Sequence, residues 1–216
     1  MACRATAYVA AGGMNRRLAG EDFYFLQQVH KTSGVETLSG TLVHPSPRSS
    51  QRVPFGTGRS VGDMLAEGEQ RLLFYHPDVF AIVEEWLKCV HENQGADSVD
   101  LMRSAGSISA VLQEFLEQAG FKNAWENLKN NNRDSTKLEA AFNGWFDSFR
   151  TMRLIHHLSD KAYPRISPEL AVAPLLELAG QVSPANVNGQ LELLRSLQGA
   201  GGNPAITPVL ELIRVI

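Results

Sequence analysis

Past residue 66 the chain keeps returning to one pattern, with apolar residues three and four positions apart and polar residues between them. That spacing lines one face of an α-helix. From Val79 to Glu92, Phe80, Val83, Trp86, Leu87 and Val90 form such a stripe, and Asp78 is the expected N-cap after His76-Pro77. Ser107 to Ala119 repeats it with Ile108, Val111, Leu112, Phe115 and Leu116, and Gly120 closes it. Phe121 to Asn130 reads as a short helix carrying Trp125 and Leu128, ended by Asn130-Asn131-Asn132. Asp134 then caps one long helix from Ser135 to about Leu158, with Leu138, Phe142, Trp145, Phe146, Phe149, Met152 and Ile155 on its buried side. The tail from Pro168 to Ile216 holds three shorter helical patterns, separated at Gly180 to Pro184 and Gly199 to Pro204.

Before residue 66 the texture differs. Glycines, prolines and arginines punctuate short apolar patches. Ala2 to Ala11 suits a short helix that Gly12-Gly13 would stop. Gly20 to Val29 predicts a second helix, with Phe23, Leu26 and Val29 close to one face and Glu21 and Asp22 in its first turn. Val35 to His44 is the best strand candidate, rich in β-branched residues and closed by Pro45. Ser46 to Gly62 reads as a long connection, the kind that often carries function. The expected fold is therefore mostly α, with an α+β N-terminal third of one or two strands and a helical, bundle-like remainder. Domains are expected at 1–66 and 67–216. A lone strand needs partners, and an unpaired edge at 35–44 predicts self-association.

Composition narrows the class. The 216 residues are 44% hydrophobic, enough for a sizeable core, and 20 Lys+Arg against 23 Asp+Glu give a formal charge of −3. That balance excludes a strongly basic nucleic-acid binder. Cys3 and Cys89 cannot build a disulfide framework and read as free thiols of a reducing compartment. No run approaches the 18 or so apolar residues of a membrane span. The N-terminal small-residue run is too short and too weakly apolar for a signal peptide. A cytoplasmic location is expected.

Two clusters can carry chemistry. Gly20-Glu21-Asp22 places two carboxylates at a helix's partially positive end, where anions are stabilised by about 0.3–1 kcal/mol. That alone explains them structurally; the functional alternative is a general base at the lip of a cleft. The stretch from His44 to Arg59 sets Arg48, Arg52 and Arg59 among serines and a Gly-Thr-Gly turn. Guanidinium forks match phosphate oxygens, so this is either an anion pocket or a solvated surface loop. It lacks the Gly-Lys-Ser/Thr ending of a phosphate-binding loop. His156 and His157 are adjacent, so they point about 100° apart on a helix and cannot share one metal. His76 and His91 lack a ligand partner at i+4, no Asp-x-Asp occurs, and no serine sits in a nucleophile elbow.

The order of features over residues 1–60 resembles family 2 glycosyltransferases, inverting enzymes of the GT-A fold. Met1 to Asn15 matches a small-residue and arginine stretch with a Gly-Gly turn. Ala19-Gly20-Glu21-Asp22-Phe23 matches the Gly-Glu-Asp that heads a helix, and His44-Pro45-Ser46-Pro47-Arg48 matches a Pro-x-Pro-Arg loop. The resemblance implies that Asp22 takes the proton from the acceptor hydroxyl and that Glu21 positions the acceptor or the helix. It implies substrate contacts from Arg48, Arg52, Arg59 and Arg4, the first three toward the donor diphosphate. Gln51-Arg52 departs from the Gln-x-x-Arg-Trp element of processive members, so no processivity is implied.

In that family the nucleotide is bound by an N-terminal βαβ half whose Asp-x-Asp holds Mg or Mn, and no such motif occurs in this chain. The resemblance therefore implies an acceptor-side portion, inactive alone and without a cofactor of its own. A nucleotide-sugar donor and a glycosyl acceptor are the expected partners of the complete enzyme. A non-catalytic helical protein-interaction module, braced by the first 60 residues, is the competing expectation. A phosphate-ester enzyme is the third, and it lacks a nucleophile or metal set.

Overall fold

The computed structural model describes residues 2–14, 20–36, 48, 57–67 and 73–199, with the side chains of 57–60, 67 and 198–199 excepted. The protein is mostly α. The chain divides into two compact units, Met1–Leu72 and Leu73–Ile216. In the first, the described helices are α1 (Ala5–Ala10), α2 (Glu21–Ser33) and α3 (Thr57–Glu67). The second holds α4 (Pro77–Glu92), α5 (Ser98–Ile108), α6 (Ala110–Gln118), α7 (Phe121–Asn131), α8 (Ser135–Trp145), α9 (Ser148–Lys161), α10 (Pro168–Leu178) and α11 (Val187–Gly199).

The described part of the first unit contains no strand, so the α+β character expected of the N-terminal third finds no support there. The strand candidate 35–44 lies outside the described residues from position 37 onward, as does any exposed edge on it. The long connection expected over 46–62 is helical at its end, where α3 begins at Thr57. The third helical pattern of the tail, beyond residue 204, is outside the described residues.

The core of the second unit is an aromatic column. Trp86 of α4 meets the edge of Phe121 of α7 at 5.2 Å between ring centroids. Phe121 stacks on Trp125 at 5.9 Å, and Trp125 meets Phe142 of α8 edge-on at 6.0 Å. Phe142 lies parallel to Phe146 at 5.7 Å. Trp86, Phe121 and Trp125 are each 0% exposed. Offset and edge-to-face pairs such as these contribute about 0.5–1.5 kcal/mol beyond the area they bury. Val79, Val83, Leu101, Leu112, Leu154 and Leu158 close around the rings.

Short polar side chains set where the helices start, and here several sequence expectations need correcting. The single helix expected over 135–158 is two. Asp147 accepts a hydrogen bond from Arg150 N–H at 3.1 Å and so caps α9, while Phe146 leaves the helical conformation. A capping carboxylate offers the backbone a local partner that competes with helix continuation. Arg150 secures the break, donating to the Trp145 carbonyl and laying its guanidinium 4.3 Å over the Trp145 ring. The interruption re-phases the stripe, so Leu154 and Leu158 join Ile155 in the core while Met152 does not.

The helix expected over 107–119 likewise begins late. Ser109, fully extended at φ −160°, ends α5 and caps α6 through its hydroxyl. The helix before it, α5, is capped by Asp97, whose carboxylate accepts from Val99 and Asp100 N–H at 2.9 and 2.8 Å. Asp134 caps α8 as expected. The cap of α4 is His76, not Asp78: its Nδ1 accepts from Asp78 N–H, with Pro77 in the first turn.

The chain entering α4 is tied down by the one β contact among the described residues. Phe74 and Ile166 exchange backbone hydrogen bonds of 2.8 and 2.9 Å. Beside them Arg165 donates to the Tyr75 hydroxyl at 2.7 Å and lies 4.2 Å over its ring. The same hydroxyl is 2.7 Å from His156 Nε2, which accepts its proton when the imidazole is neutral. The second, smaller cluster packs Val172 and Leu176 of α10 and Ala179, its C-cap, against Leu194 of α11, with Phe74 alongside.

The two buried indoles differ in their hydrogen bonding. Trp125 Nε1 donates to the Ala96 carbonyl at 3.1 Å, whereas the buried Trp86 Nε1 has no hydrogen-bond partner among the described residues. An unpaired buried donor costs about 1–3 kcal/mol, so Trp86→Phe should destabilise less than Trp125→Phe by roughly that amount in urea unfolding. Stability should also depend on pH through His156. Partial desolvation of the His156 ring, stacked on Tyr75 at 5.9 Å, holds its imidazole below the ordinary histidine range, helped by the Arg165 charge and opposed by Asp160. The folded protein keeps it neutral where the unfolded chain already binds a proton. Its contribution to stability is complete above the ordinary histidine value and is lost as pH falls through that value toward the folded one. Thermal melts from about pH 7.5 to about pH 5.5 should show a modest fall in Tm, smaller in His156→Gln.

Candidate functional site

The site that the sequence points to is built on α1 and α2. Arg4 takes the N-cap position of α1 in an extended conformation and is exposed. The helix stops at the Gly-Gly pair, where Gly12 N–H donates to the Val9 carbonyl at 3.0 Å and Gly13 N–H to the Tyr8 carbonyl at 2.9 Å. Both glycines have positive φ, and a Cβ on Gly13 would stand 3.3 Å from the Tyr8 ring. The turn thus needs glycine twice over, for backbone conformation and for the ring lying across it.

That ring joins the two helices. Tyr8 meets Phe25 of α2 at 5.5 Å, and Phe25 and Val29 are the buried residues of α2. The face expected from Phe23, Leu26 and Val29 is corrected accordingly: Leu26 is exposed, and the i, i+4 pair Phe25 and Val29 faces inward. Gly20 precedes α2 in the left-handed conformation, φ 73°, and provides no side-chain cap. Asp22 fills part of that role, its Oδ1 accepting from Phe23 N–H at 2.8 Å. The side chain is exposed, and its second carboxylate oxygen has no hydrogen-bond partner among the described residues. Glu21 stands beside it, half-buried. Both carboxylates therefore occupy the positive end of a 13-residue helix, on the side of the helix that Phe25 and Val29 anchor, three to eight positions further on.

The arginines are placed unequally. Arg48 is exposed. Arg59 is on the first turn of α3, though its side chain lies outside the described residues, and Arg52 lies wholly outside them. Among the described residues no three His, Cys, Asp or Glu side chains gather as metal ligands. Among the described residues the Asp22 region offers its own pair of neighbouring acids, one oxygen of which is already taken by Phe23 N–H. This is not a set that fits Mg or Mn.

Other groupings come together only in three dimensions. His91 Nδ1–H donates to Glu139 Oε1 at 3.1 Å, a pairing 48 positions apart in sequence. His156 and His157 diverge as adjacent helical residues must: the first faces Tyr75, the second lies against the Phe115 ring at 5.7 Å. Beside His91, α4, α7 and α8 enclose an open, mostly apolar hollow of about 280 Å³. Its trace in the sequence is Leu87, Val90, Trp125, Leu138 and Phe142 on apolar stripes, where they are indistinguishable from ordinary core.

No helix among the described residues is long and apolar enough to cross a membrane. No family model matches the chain, and neither does any curated protein or any solved structure.

Proposed function

We propose that residues 1–60 act as the acceptor-side segment of an inverting glycosyltransferase, with Asp22 as its general base. The observation that carries this reading is the exposed Asp22 carboxylate in the first turn of an anchored helix, with one oxygen committed to the backbone and the other available. A base needs that combination: fixed in position, yet open to a hydroxyl within about 2.6–3.2 Å. In the reaction the acceptor O–H gives its proton to Asp22 as its oxygen bonds to the anomeric carbon. The bond from that carbon to the nucleotide diphosphate breaks on the opposite face, and the diphosphate leaves with the electron pair. Glu21 orients the acceptor, and Arg4, Arg48, Arg52 and Arg59 meet anionic or hydroxyl-rich parts of the substrates.

These 216 residues include no Asp-x-Asp, so within them the donor's diphosphate finds no acid pair to hold its cation. The purified chain is therefore expected to bind acceptor sugars without transferring to them. Saturation-transfer NMR against a panel of oligosaccharides measures the binding. Asp22→Ala should weaken it about tenfold, the size of a lost hydrogen bond to a charged group. Unchanged affinity in Asp22→Ala would remove Asp22 from the acceptor site. Transfer from a nucleotide sugar by the chain alone, abolished in Asp22→Ala, would keep the base and overturn the inactivity.

A further inference from the structure

The hollow on the helical unit has a chemical character of its own. Val90, Trp125, Leu138 and Phe142 are buried residues that form its floor, with the half-buried Leu87 at its side. Its rim is charged: Glu84 and Lys88 are paired at 2.6 Å, His91 is hydrogen-bonded to Glu139, and Glu92 is exposed with no ion-pair partner among the described residues. The rim thus carries three carboxylates and one ammonium: Glu84, Lys88 and Glu92 along α4, and Glu139 on α8.

We propose that this hollow is a docking notch for one large apolar side chain, presented by a lysine- or arginine-bearing segment of another protein. Size and charge choose this occupant. At about 280 Å³ and open to solvent, the hollow lies at the small end of enclosed ligand sites, which hold most of a ligand's surface. One anchoring side chain suits it better. Apolar anchors in pockets carry most of the energy of such interfaces, while rim charges select the partner and speed its arrival. An acidic rim selects basic flanks and repels acidic ones. The inference uses nothing from the first 60 residues and stands apart from the role of Asp22.

The test uses the whole 216-residue chain and three synthetic helical peptides. The first bears a central Phe with Lys three and four positions to either side; the second replaces that Phe with Ala; the third replaces the Lys residues with Glu. Binding is followed by two-dimensional NMR of the labelled protein. The Lys-flanked Phe peptide should shift amides of Leu87, Leu138 and Phe142 and the Trp125 indole N–H. The Ala and Glu peptides should each bind at least tenfold more weakly. Leu87→Arg, at a half-buried rim position, should block the first peptide, and Glu92→Lys should weaken it while leaving the folded spectrum intact. Absence of binding, equal binding of all three peptides, or shifts mapping elsewhere would overturn the proposal. Self-association on sizing that Leu87→Arg abolishes would overturn it in favour of a second copy of this chain as occupant.

Discussion

The helical unit depends on its aromatic column. Trp86, Phe121, Trp125 and Phe142 come from three helices, and their rings touch in succession from α4 through α7 to α8. A Trp or Phe left in water would forfeit a large part of its hydrophobic stabilisation, about 1.5–3 kcal/mol for a phenylalanine-sized side chain. The rings therefore force α4, α7 and α8 together, and the remaining helices complete the enclosure. Trp125 adds a polar constraint. Its indole N–H, with Lys129 Nζ, holds the carbonyl of Ala96 and so fixes the turn that launches α5.

Capping residues then decide the lengths of the helices that reach this column. Asp97, Ser109, Asp134 and Asp147 each bind backbone N–H groups at a helix start. Without the breaks at Ser109 and at Phe146-Asp147, longer helices would carry their stripes away from the core at a fixed phase of about 3.6 residues. The breaks reset that phase, which brings Leu154 and Leu158 inward. Local hydrogen bonding and global packing agree at these points, as minimal frustration requires.

The first unit applies the same physics on a smaller scale. Tyr8 and Phe25 join two helices, and the glycines at 12 and 13 turn the chain, at Gly13 where a Cβ would press on the tyrosine ring. The consequence for chemistry is indirect. Anchoring α2 through Phe25 and Val29 fixes where its first turn points, so an exposed acid at its positive end becomes a positioned group.

Helix content, the extents of α4 and α7 and the Asp134 cap were legible in the chain, because apolar spacing and short polar caps act over a few residues. So was the location of Glu21 and Asp22 in a helix's first turn, whereas α5 and the start of α3 were not legible as helix. Breaks at Ser109 and Asp147 were harder to read, since a serine or aspartate inside an apolar stripe is compatible with either outcome until packing selects one. The buried face of α2 passed to Phe25 because the Tyr8 ring meets it there, a partner 17 positions away. Tertiary structure alone decided the pairing of His91 with Glu139, the Tyr75, His156 and Arg165 contacts, and the opening of an apolar hollow beside an acidic rim. Each of these joins residues far apart along the chain, and a pattern that repeats about every 3.6 residues specifies which face a side chain takes but not what it meets.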